Sequence, residues 1–505
     1  MNKKGVALIT TMTFLTVLFL GGSSYLYMVT EESRHTERQL DMQKAFFLAE
    51  SGVERAIWRI VNDNTVTSET FKIKGSGEPD NYLEDQNITV TITDKGSDVY
   101  RISSSSQVGS SSKTLTVLVR KNPPAKIFDY AYFINNWGWF YGYGITANGD
   151  VRSNGRFDLR NNPRVEGDIY AGFEIDDGDD GIRGSGGDPE NQHPDSEILE
   201  MPNLYHMSYY ETLAETKGGS VVVNGVTLID AVFGDDVGES GNIVLIGTDT
   251  DPIEINGPVV VTGDIVIKGN ITGQGCIYAG RNIYLADEVQ YDDGPSSPRP
   301  SSSNPTDIDN WVIANKDKDL VGFAATESII LGNYTATSGD RWYAENWLFG
   351  MGDEDVGQDG IPDTNDTYEE DSIFQQQYED LDGDGVKDND YTWSSVQTQA
   401  PITNFENCPP GVTTFGEIST NQLSHLDGIF YTNHAYSGRV GYGVGINGSI
   451  ISKDEAIIYR DTITMNYDER IHSRYSGSQG MLIDVNLPMV NKVEVIRWVE
   501  GAVDL

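Results

Sequence analysis

Cysteine and histidine are scarce in this chain, which has two cysteines and six histidines among 505 residues. Cys276 and Cys408 lie far apart in dissimilar contexts, ITGQGCIYAG and NFENCPPGV, so whether they pair stays open. Neither residue type shows the spacing of a zinc site or a catalytic thiol. The sequence also lacks a nucleophile elbow, a P-loop and a dinucleotide-binding motif. We therefore expect a protein that is not an enzyme.

Basic residues are the second shortage. The chain carries 35 Lys and Arg against 77 Asp and Glu, a formal net charge of −42. A surface this acidic repels phosphate backbones. We expect no nucleic-acid binding and favour divalent cations as partners.

Proline is absent from Met1 to Asn64, and no charged residue lies between Val6 and Thr30. At about 1.5 Å per residue, that uncharged stretch spans roughly 37 Å as a helix, enough to cross a bilayer. Lys3 and Lys4 precede it, so the positive-inside rule places the first residues in the cytoplasm and the rest outside.

The helical pattern continues beyond the apolar stretch. Apolar residues recur at near-helical spacing among polar ones: Leu40, Phe46, Phe47, Val53, Ile57 and Ile60. One helix of about 55 residues is the simplest interpretation. The alternative is a secretion signal cleaved near Gly21-Gly22-Ser23-Ser24, which the continuing pattern disfavours.

Two motifs give this helix a family resemblance. Lys3-Lys4-Gly5 is followed by Val6-Ala7-Leu8-Ile9, and AFFLAESGV spans residues 45–53. The first 60 residues or so resemble the PilX-like minor type IV pilins, whose entry sequence reads G-x-A-L and whose helix later carries A-x-x-A-E-x-G. The resemblance implies that prepilin peptidase cuts between Gly5 and Val6. It also implies an inner-membrane precursor whose helix then packs against other pilin subunits in a filament at the cell surface.

Thr10 departs from that family pattern. Most major pilins carry Glu at this fifth mature position, where it is thought to pair with a neighbouring N-terminal ammonium. A buried carboxylate is costly unless paired, so a subunit without it is poorly suited to docking beneath another in repeated register. The resemblance therefore implies a filament-packing role for Thr10 in a tip or priming subunit.

The remainder of the chain is predicted to be mainly β, giving an α+β fold overall. Residues 64–122 alternate apolar and polar side chains, which predicts a small antiparallel sheet ending at Asn122-Pro123-Pro124. Beyond it, short apolar blocks recur between Gly or Asn-Gly turns, as in DPIEINGPVVVTGDIVIKGNITGQGCIYAG. This pattern predicts a β-solenoid, most simply a parallel β-helix, over 123–505. An ordinary β-sandwich is the alternative.

An acidic insertion at residues 351–391 is predicted to bind calcium. Alternate carboxylates followed by glycine are typical of calcium loops, where the seventh residue supplies a carbonyl. These loops resemble dockerin-like and thrombospondin type 3-like repeats. The candidate ligands are Asp380, Asp382, Asp384, Val386, Asp388 and Asp390 in one loop, Asp355, Asp359, Asp363 and Asp366 in a second, and, more weakly, Asp176 and Asp180.

The predicted domains are a leader at 1–5, a membrane and filament helix at 6–63, the sheet at 64–122 and the solenoid at 123–505. Together they predict a minor pilin-like subunit that primes assembly and adheres to an unknown surface or carbohydrate ligand through a calcium-ordered body. Two alternatives stay open: a secreted or membrane-anchored β-helical enzyme acting on polysaccharides, and a structural protein of the cell envelope outside any filament.

Overall fold

The computed structural model describes residues 3–62, 69–71, 88–95, 99–121, 125–135, 137–178, 180–202, 204, 207–295, 300, 304–333, 402–420, 422–453, 455–459, 462–476, 485–489 and 493–501. The chain divides into two compact units, which we call the first unit and the body. The first unit comprises Met1–Pro123 and Asn491–Leu505, and the body comprises Pro124–Val490.

Helices and strands follow one another as a long helix, a short run of strands, and then a series of short strands interrupted by two brief helices. The helices are α1 (Lys3–Asn62), α2 (Met207–Lys217) and α3 (Pro305–Asn315). The strands are β1 (Glu69–Phe71), β2 (Ile88–Asp94), β3 (Val99–Val108), β4 (Ser111–Lys121), β5 (Tyr132–Ile134), β6 (Gly138–Tyr141), β7 (Ile145–Asn148), β8 (Val151–Ser153), β9 (Phe157–Arg160), β10 (Arg164–Glu166), β11 (Ile169–Ala171), β12 (Ile175–Asp176), β13 (Gln192–His193), β14 (Ser220–Val223), β15 (Val226–Asp230), β16 (Val232–Phe233), β17 (Ile243–Ile246), β18 (Ile253–Val261), β19 (Ile265–Ala279), β20 (Ile283–Tyr291), β21 (Leu320–Ala325), β22 (Ile329–Leu331), β23 (His425–Thr432), β24 (Ala435–Arg439), β25 (Val444–Ser452), β26 (Glu455–Tyr459), β27 (Ile463–Tyr467) and β28 (Val493–Glu500). The predicted long N-terminal helix followed by a mainly-β region is confirmed.

Helix α1 packs on the sheet of the first unit only through its second half. The packed stripe has helical spacing and is fully buried: Ala45, Ala49, Val53, Ala56 and Ile60. It meets inward side chains of the sheet, among them Val90, Ile102 and Val117. Small alanines in the stripe let the helix approach the strands closely.

The sheet of the first unit is antiparallel, in the order β1-β2-β3-β4-β28. The position of β28 corrects the predicted domain boundaries, which assigned all residues from 123 to 505 to the body. Strand β28 pairs with β4 and so belongs to the first unit. Ladder pairing is made by backbone groups, so the local pattern of residues 493–500 does not reveal which sheet the strand joins.

Strands of the body pair mainly in parallel, with partners 18 residues apart along much of the chain. Ile253 pairs with Ile271, Ile265 with Ile283, and Ala147 with Val165. Each of these turns of chain therefore lies beside the one 18 residues before it, and we call the set of parallel-paired strands the stack. Inward apolar side chains from successive turns fill one continuous core.

The body's first strands lie in the middle of this stack. Strand β25, near the end of the body, pairs in parallel with β5, and β27 pairs with β7. We call these two pairings the join. One column of inward side chains crosses the join without interruption, and each member pairs in register with the next: Val259, Ile277, Phe323, Phe430, Ile450, Tyr132, Val151 and Ile169. The early turns 125–193 and the later turns 220–467 thus stack end to end.

Helix α2 lies on the connection between the two groups of turns. Tyr210 on α2 stacks on Tyr278 with ring centroids 4.3 Å apart, and Tyr431 Oη donates to the carbonyl of Pro202 at 2.6 Å. The chain then forms the hairpin β14–β15 around Asn224-Gly225, both with positive φ as a tight hairpin turn requires. Strand β14 pairs antiparallel with β18 and covers that edge of the stack.

Two insertions leave the stack. Residues between β20 and β21 include α3, and those between β22 and β23 include a described loop at 402–420. Phe415 and Ile402 of that loop are buried among side chains of β17, β20 and β22. The predicted calcium insertion at 351–391 lies in the same connection, outside the described residues. Cys276 is buried in β19, Cys408 is half-buried in the loop, and both are free thiols.

Candidate functional site

The first half of α1 exposes a continuous apolar surface. Leu8, Phe14, Phe19, Leu26 and Tyr27 are each more than half exposed. Among the described residues, this is the one helix long and apolar enough to cross a membrane. The same helix therefore combines a packed half with an apolar half that is left exposed by the described residues of the first unit.

The predicted processing and packing residues all lie on this apolar half. Gly5 and Val6 fall within the first turns of α1, and Thr10 lies exposed one turn further along. Neighbouring threonines bond within the helix, as Thr13 Oγ1 does to the carbonyl of Ile9 at 2.9 Å. Such bonds satisfy hydroxyls locally in an apolar environment. Cleavage at Gly5 and the packing role of Thr10 stay predictions.

Ten of the twelve predicted calcium ligands lie outside the described residues, namely those from Asp355 to Asp390. Asp176 and Asp180 are described. Asp176 Oδ2 accepts from Arg160 Nη2 at 2.7 Å, and its Oδ1 accepts from Gly178 N at 2.9 Å. These bonds lower the pKa of Asp176. Asp180 instead accepts from Asn161 N at 2.9 Å.

The pairing of Asp176 with a guanidinium weighs against a metal at that carboxylate, since both of its oxygens already accept hydrogen bonds. Within the part of the chain that is described, no group of three or more His, Cys, Asp or Glu side chains is placed to hold a metal ion. The calcium prediction therefore rests on the two loops of the 351–391 insertion.

An ordered polar network that the sequence analysis did not identify surrounds Asp176. Arg156 donates to Asp158 through Nε at 2.6 Å and through Nη2 at 2.7 Å. The bonds that Arg156 donates to Asp158 raise the pKa of Arg156, and the Asp158 side chain is 2% exposed. The only signal in the sequence is the alternation RFDLR, in which Arg156, Asp158 and Arg160 share one face of β9.

Aromatic side chains from NNWGWFYGYG border this network. Phe140 points into the core, whereas Trp139 is half-buried and Tyr141 is 45% exposed. The Trp139 and Tyr141 rings meet edge to face with centroids 5.2 Å apart. Tyr141 Oη donates to Asp158 Oδ2 at 3.3 Å, and burial, followed by the charge of Asp158, raises the pKa of Tyr141.

A second polar row crosses the join between the two groups of turns. Asn148 Nδ2 donates to Asn466 Oδ1 at 2.7 Å, Asn466 to Asn447 at 2.8 Å, and Asn447 to Asp427 at 2.7 Å. The ladder registers place these residues in one column on the outside of the stack. His425 bonds the same Asp427 at 2.9 Å, which raises the pKa of that histidine. This row ties the turns together along their outer face.

Comparison with known proteins does not assign the chain to a family. No protein-family model matches the chain, and no curated protein matches it in sequence. Among solved structures, the crystal structure of the competence-associated pilin ComZ from Thermus thermophilus aligns over 91% of this chain and 98% of that chain, at 10% identity and a TM-score of 0.30. A likeness at that score and identity is too low to assign a function, so the chain's own features have to support one.

Proposed function

We propose that this protein is a minor pilin-like subunit of a type IV pilus or related filament that displays the body for assembly priming and adhesion. The observation that carries the proposal is the two-part character of α1. Its second half is covered by the small sheet, and its first half bears apolar side chains that need a bilayer or neighbouring helices around them. A filament subunit needs an apolar half of this kind, because a bilayer surrounds that half before assembly and neighbouring helices surround it afterwards.

The stretch from Ala45 to Gly52, which reads A-x-x-x-A-E-x-G in this chain, supports the proposal in structural terms. Ala45 and Ala49 are part of the stripe that packs on the sheet. At Gly52, an added Cβ would lie 2.8 Å from Ile88 Cγ2 and 3.0 Å from Val90 Cγ2. This stretch therefore marks a place where the helix packs closely against the strands.

The body is proposed to be a parallel β-solenoid. Its parallel ladders at 18-residue spacing and its continuous inward column support that architecture. The 351–391 segment falls between β22 and β23 in the sequence, and we propose that calcium orders it. The protein is proposed to have no enzymatic activity and to act through binding alone.

Mass spectrometry of the mature N-terminus tests the processing step. The proposal expects a chain that begins at Val6, cut by prepilin peptidase. A chain beginning after Gly22 would instead indicate a secreted protein and overturn it. Immunogold labelling of sheared filaments then tests assembly, since absence of label from filaments would exclude a pilin role.

Isothermal titration with calcium tests the metal proposal. The wild-type chain is expected to bind calcium with measurable heat, and a variant with Asp382→Ala and Asp384→Ala is expected to lose the contribution of that loop. Asp176→Ala is the matched control, because the Asp176 carboxylate is held by Arg160. Equal heats in the wild type and the double variant would refute the site.

A further inference from the structure

The face formed by β6, β9 and β12 presents an ordered set of polar and aromatic side chains to solvent. These three strands pair in parallel, Trp139 with Asp158 and Asp158 with Asp176. The alternate residues Phe140, Phe157 and Leu159 are buried in the core. Core packing therefore fixes the backbone beneath the outward row. We call the set Trp139, Tyr141, Arg156, Asp158, Arg160 and Asp176 the aromatic ion-pair face. Asp158 is its buried member, at 2% exposed, and holds the two arginines in place from beneath.

We propose that the aromatic ion-pair face binds a neutral oligosaccharide. Its biological meaning rests on the adhesive role proposed above, although the binding itself does not depend on filament assembly. The proposal deepens that role by naming the class of ligand and the residues that would contact it.

The polar groups of the face are held in place before any ligand arrives. Arg156 donates two hydrogen bonds to the carboxylate of Asp158. Arg160 donates to the carboxylate of Asp176 and also, at 2.6 Å, to the backbone carbonyl of Asp176. Arg156 also lies 3.3 Å from Glu174. Side chains locked in this way need little further ordering on binding, which favours recognition of a ligand with several hydrogen-bonding groups.

The charges of the face favour a neutral ligand. Two guanidiniums are paired with the three carboxylates of Asp158, Asp176 and Glu174, so these groups together carry one net negative charge, which disfavours an anionic ligand. An anionic ligand would also approach a chain of net charge −42. A cation would have to displace an arginine already bonded to each aspartate. Hydroxyl groups, in contrast, both donate and accept, and can bond ion-paired side chains without changing their charge.

The aromatic pair supplies the other half of such a site. Tyr141 exposes nearly half of its surface beside Trp139. Sugar rings carry apolar C–H faces that pack on aromatic rings while their hydroxyls bond neighbouring polar groups. A site that combines aromatic surface with a few well-placed polar groups matches this chemistry.

Calorimetric titration of the full-length chain tests the proposal, in a polyoxyethylene detergent because sugar-headed detergents would compete. The probes are cellohexaose, maltohexaose and mannohexaose, with a sulfated heparin hexasaccharide as the anionic comparison. We expect at least one neutral hexaose to bind with a Kd below about 1 mM and the sulfated one to bind more weakly. Failure of all three neutral probes, or tighter binding of the sulfated one, would overturn the proposal.

Two substitutions locate the binding on this face. Tyr141→Ala should weaken binding about tenfold or more, whereas Tyr141→Phe, which keeps the ring, should stay within about threefold of the wild type. Asp176→Asn provides a second variant at a 39% exposed side chain and should also weaken binding. Tyr209→Ala, at a 41% exposed tyrosine on α2, is the matched control. Unchanged affinity in Tyr141→Ala with a native unfolding midpoint would refute the site, whatever the outcome of the N-terminal and immunogold tests.

Discussion

Arg470 is the largest side chain that is fully buried in the body, and its guanidinium is held from several directions. It donates to Asp468 at 2.6 Å and to the carbonyls of Asn315, Lys318 and Asp319 at 2.9 to 3.1 Å. These bonds join the end of α3 and the start of β21 to the turn that follows β27. A buried ion pair of this kind is costly to break because the remaining partner stays buried and unpaired.

Replacing Arg470 by methionine should therefore destabilise the body strongly. Arg470→Met removes the guanidinium partner of the buried Asp468 carboxylate and one hydrogen-bond donor to each of three carbonyls. We expect a loss of about 3–5 kcal/mol in the free energy of unfolding. Urea denaturation followed by circular dichroism measures it. Arg164→Met, at a side chain 45% exposed whose partner Glu166 is 35% exposed, should cost less than about 1 kcal/mol. Similar losses in the two variants would contradict this account.

His434 gives the body a dependence on pH. Burial lowers the pKa of His434 to about 3, and its Nδ1 bonds Ser328 Oγ at 2.7 Å. An unfolded histidine has a pKa of about 6.5, so between these values the unfolded chain binds a proton that the folded chain does not. The contribution of His434 to the free energy of unfolding is therefore fully present above about pH 6.5, and it falls as the pH is lowered toward 3.

Between pH 7.5 and pH 5, we expect His434 to lower the free energy of unfolding by about 2 kcal/mol. His434→Gln keeps an amide beside Ser328 but does not titrate, so this contribution should be absent from the variant. Urea unfolding of both proteins at the two pH values measures the difference, because the many Asp and Glu residues contribute equally to each. Parallel pH profiles would show that His434 does not titrate in this way.

At the scale of elements, the contact between α1 and its sheet depends on a glycine. A Cβ at Gly52 would lie 2.1 Å from Ser104 Oγ, as well as against the stiff β-branched side chains of Ile88 and Val90. Alanine is a better helix former than glycine by about 1 kcal/mol, yet overpacking a tight contact costs about 1–3 kcal/mol. The two effects oppose each other at this position.

We expect overpacking to prevail, so that Gly52→Ala destabilises the first unit. Hydrogen exchange of β2 and β3 in detergent should then quicken relative to the wild type. The control is Gly21→Ala on the same helix, where a Cβ would meet nothing within 4 Å. Slower exchange in Gly52→Ala would show that helix propensity outweighs the contact.

At the scale of the whole molecule, the body depends on a join between turns far apart in sequence. Ile450 on β25 is fully buried and register-paired with Tyr132 on one side and Phe430 on the other. In a stack of repeats each turn is stabilised mainly by its neighbours. A cavity at the join should therefore weaken both groups of turns.

Ile450→Ala is expected to cost about 2–5 kcal/mol in the free energy of unfolding. Hydrogen exchange should quicken both in β5 and β8 and in β23, on the two sides of the join. Val226→Ala, at a side chain 58% exposed in the β14–β15 hairpin, should leave these strands unchanged. Quickened exchange on one side alone would mean that the two groups of turns fold independently.

The sequence by itself determined those features that a local pattern encodes. Proline-free helical periodicity predicted α1, and the uncharged stretch from Val6 to Thr30 predicted its exposed apolar half. Alternation predicted the strands of residues 88–121, and short apolar blocks between glycine turns predicted the many short strands of the body. Each of these follows from spacing within a few turns of chain, which is the range over which side-chain periodicity carries information.

Only the tertiary structure decided how distant segments meet. It placed β28 beside β4, put the first strands of the body in the middle of its stack, and assembled Arg156, Asp158 and Asp176 next to Trp139 and Tyr141. Backbone ladders accept any strand with a compatible register, so residues 493–500 and 132–134 carry no local sign of their partners. Parallel stacking also turns residues 18 apart into neighbours, and that is how a row of ordinary surface charges on β9 becomes an ordered face.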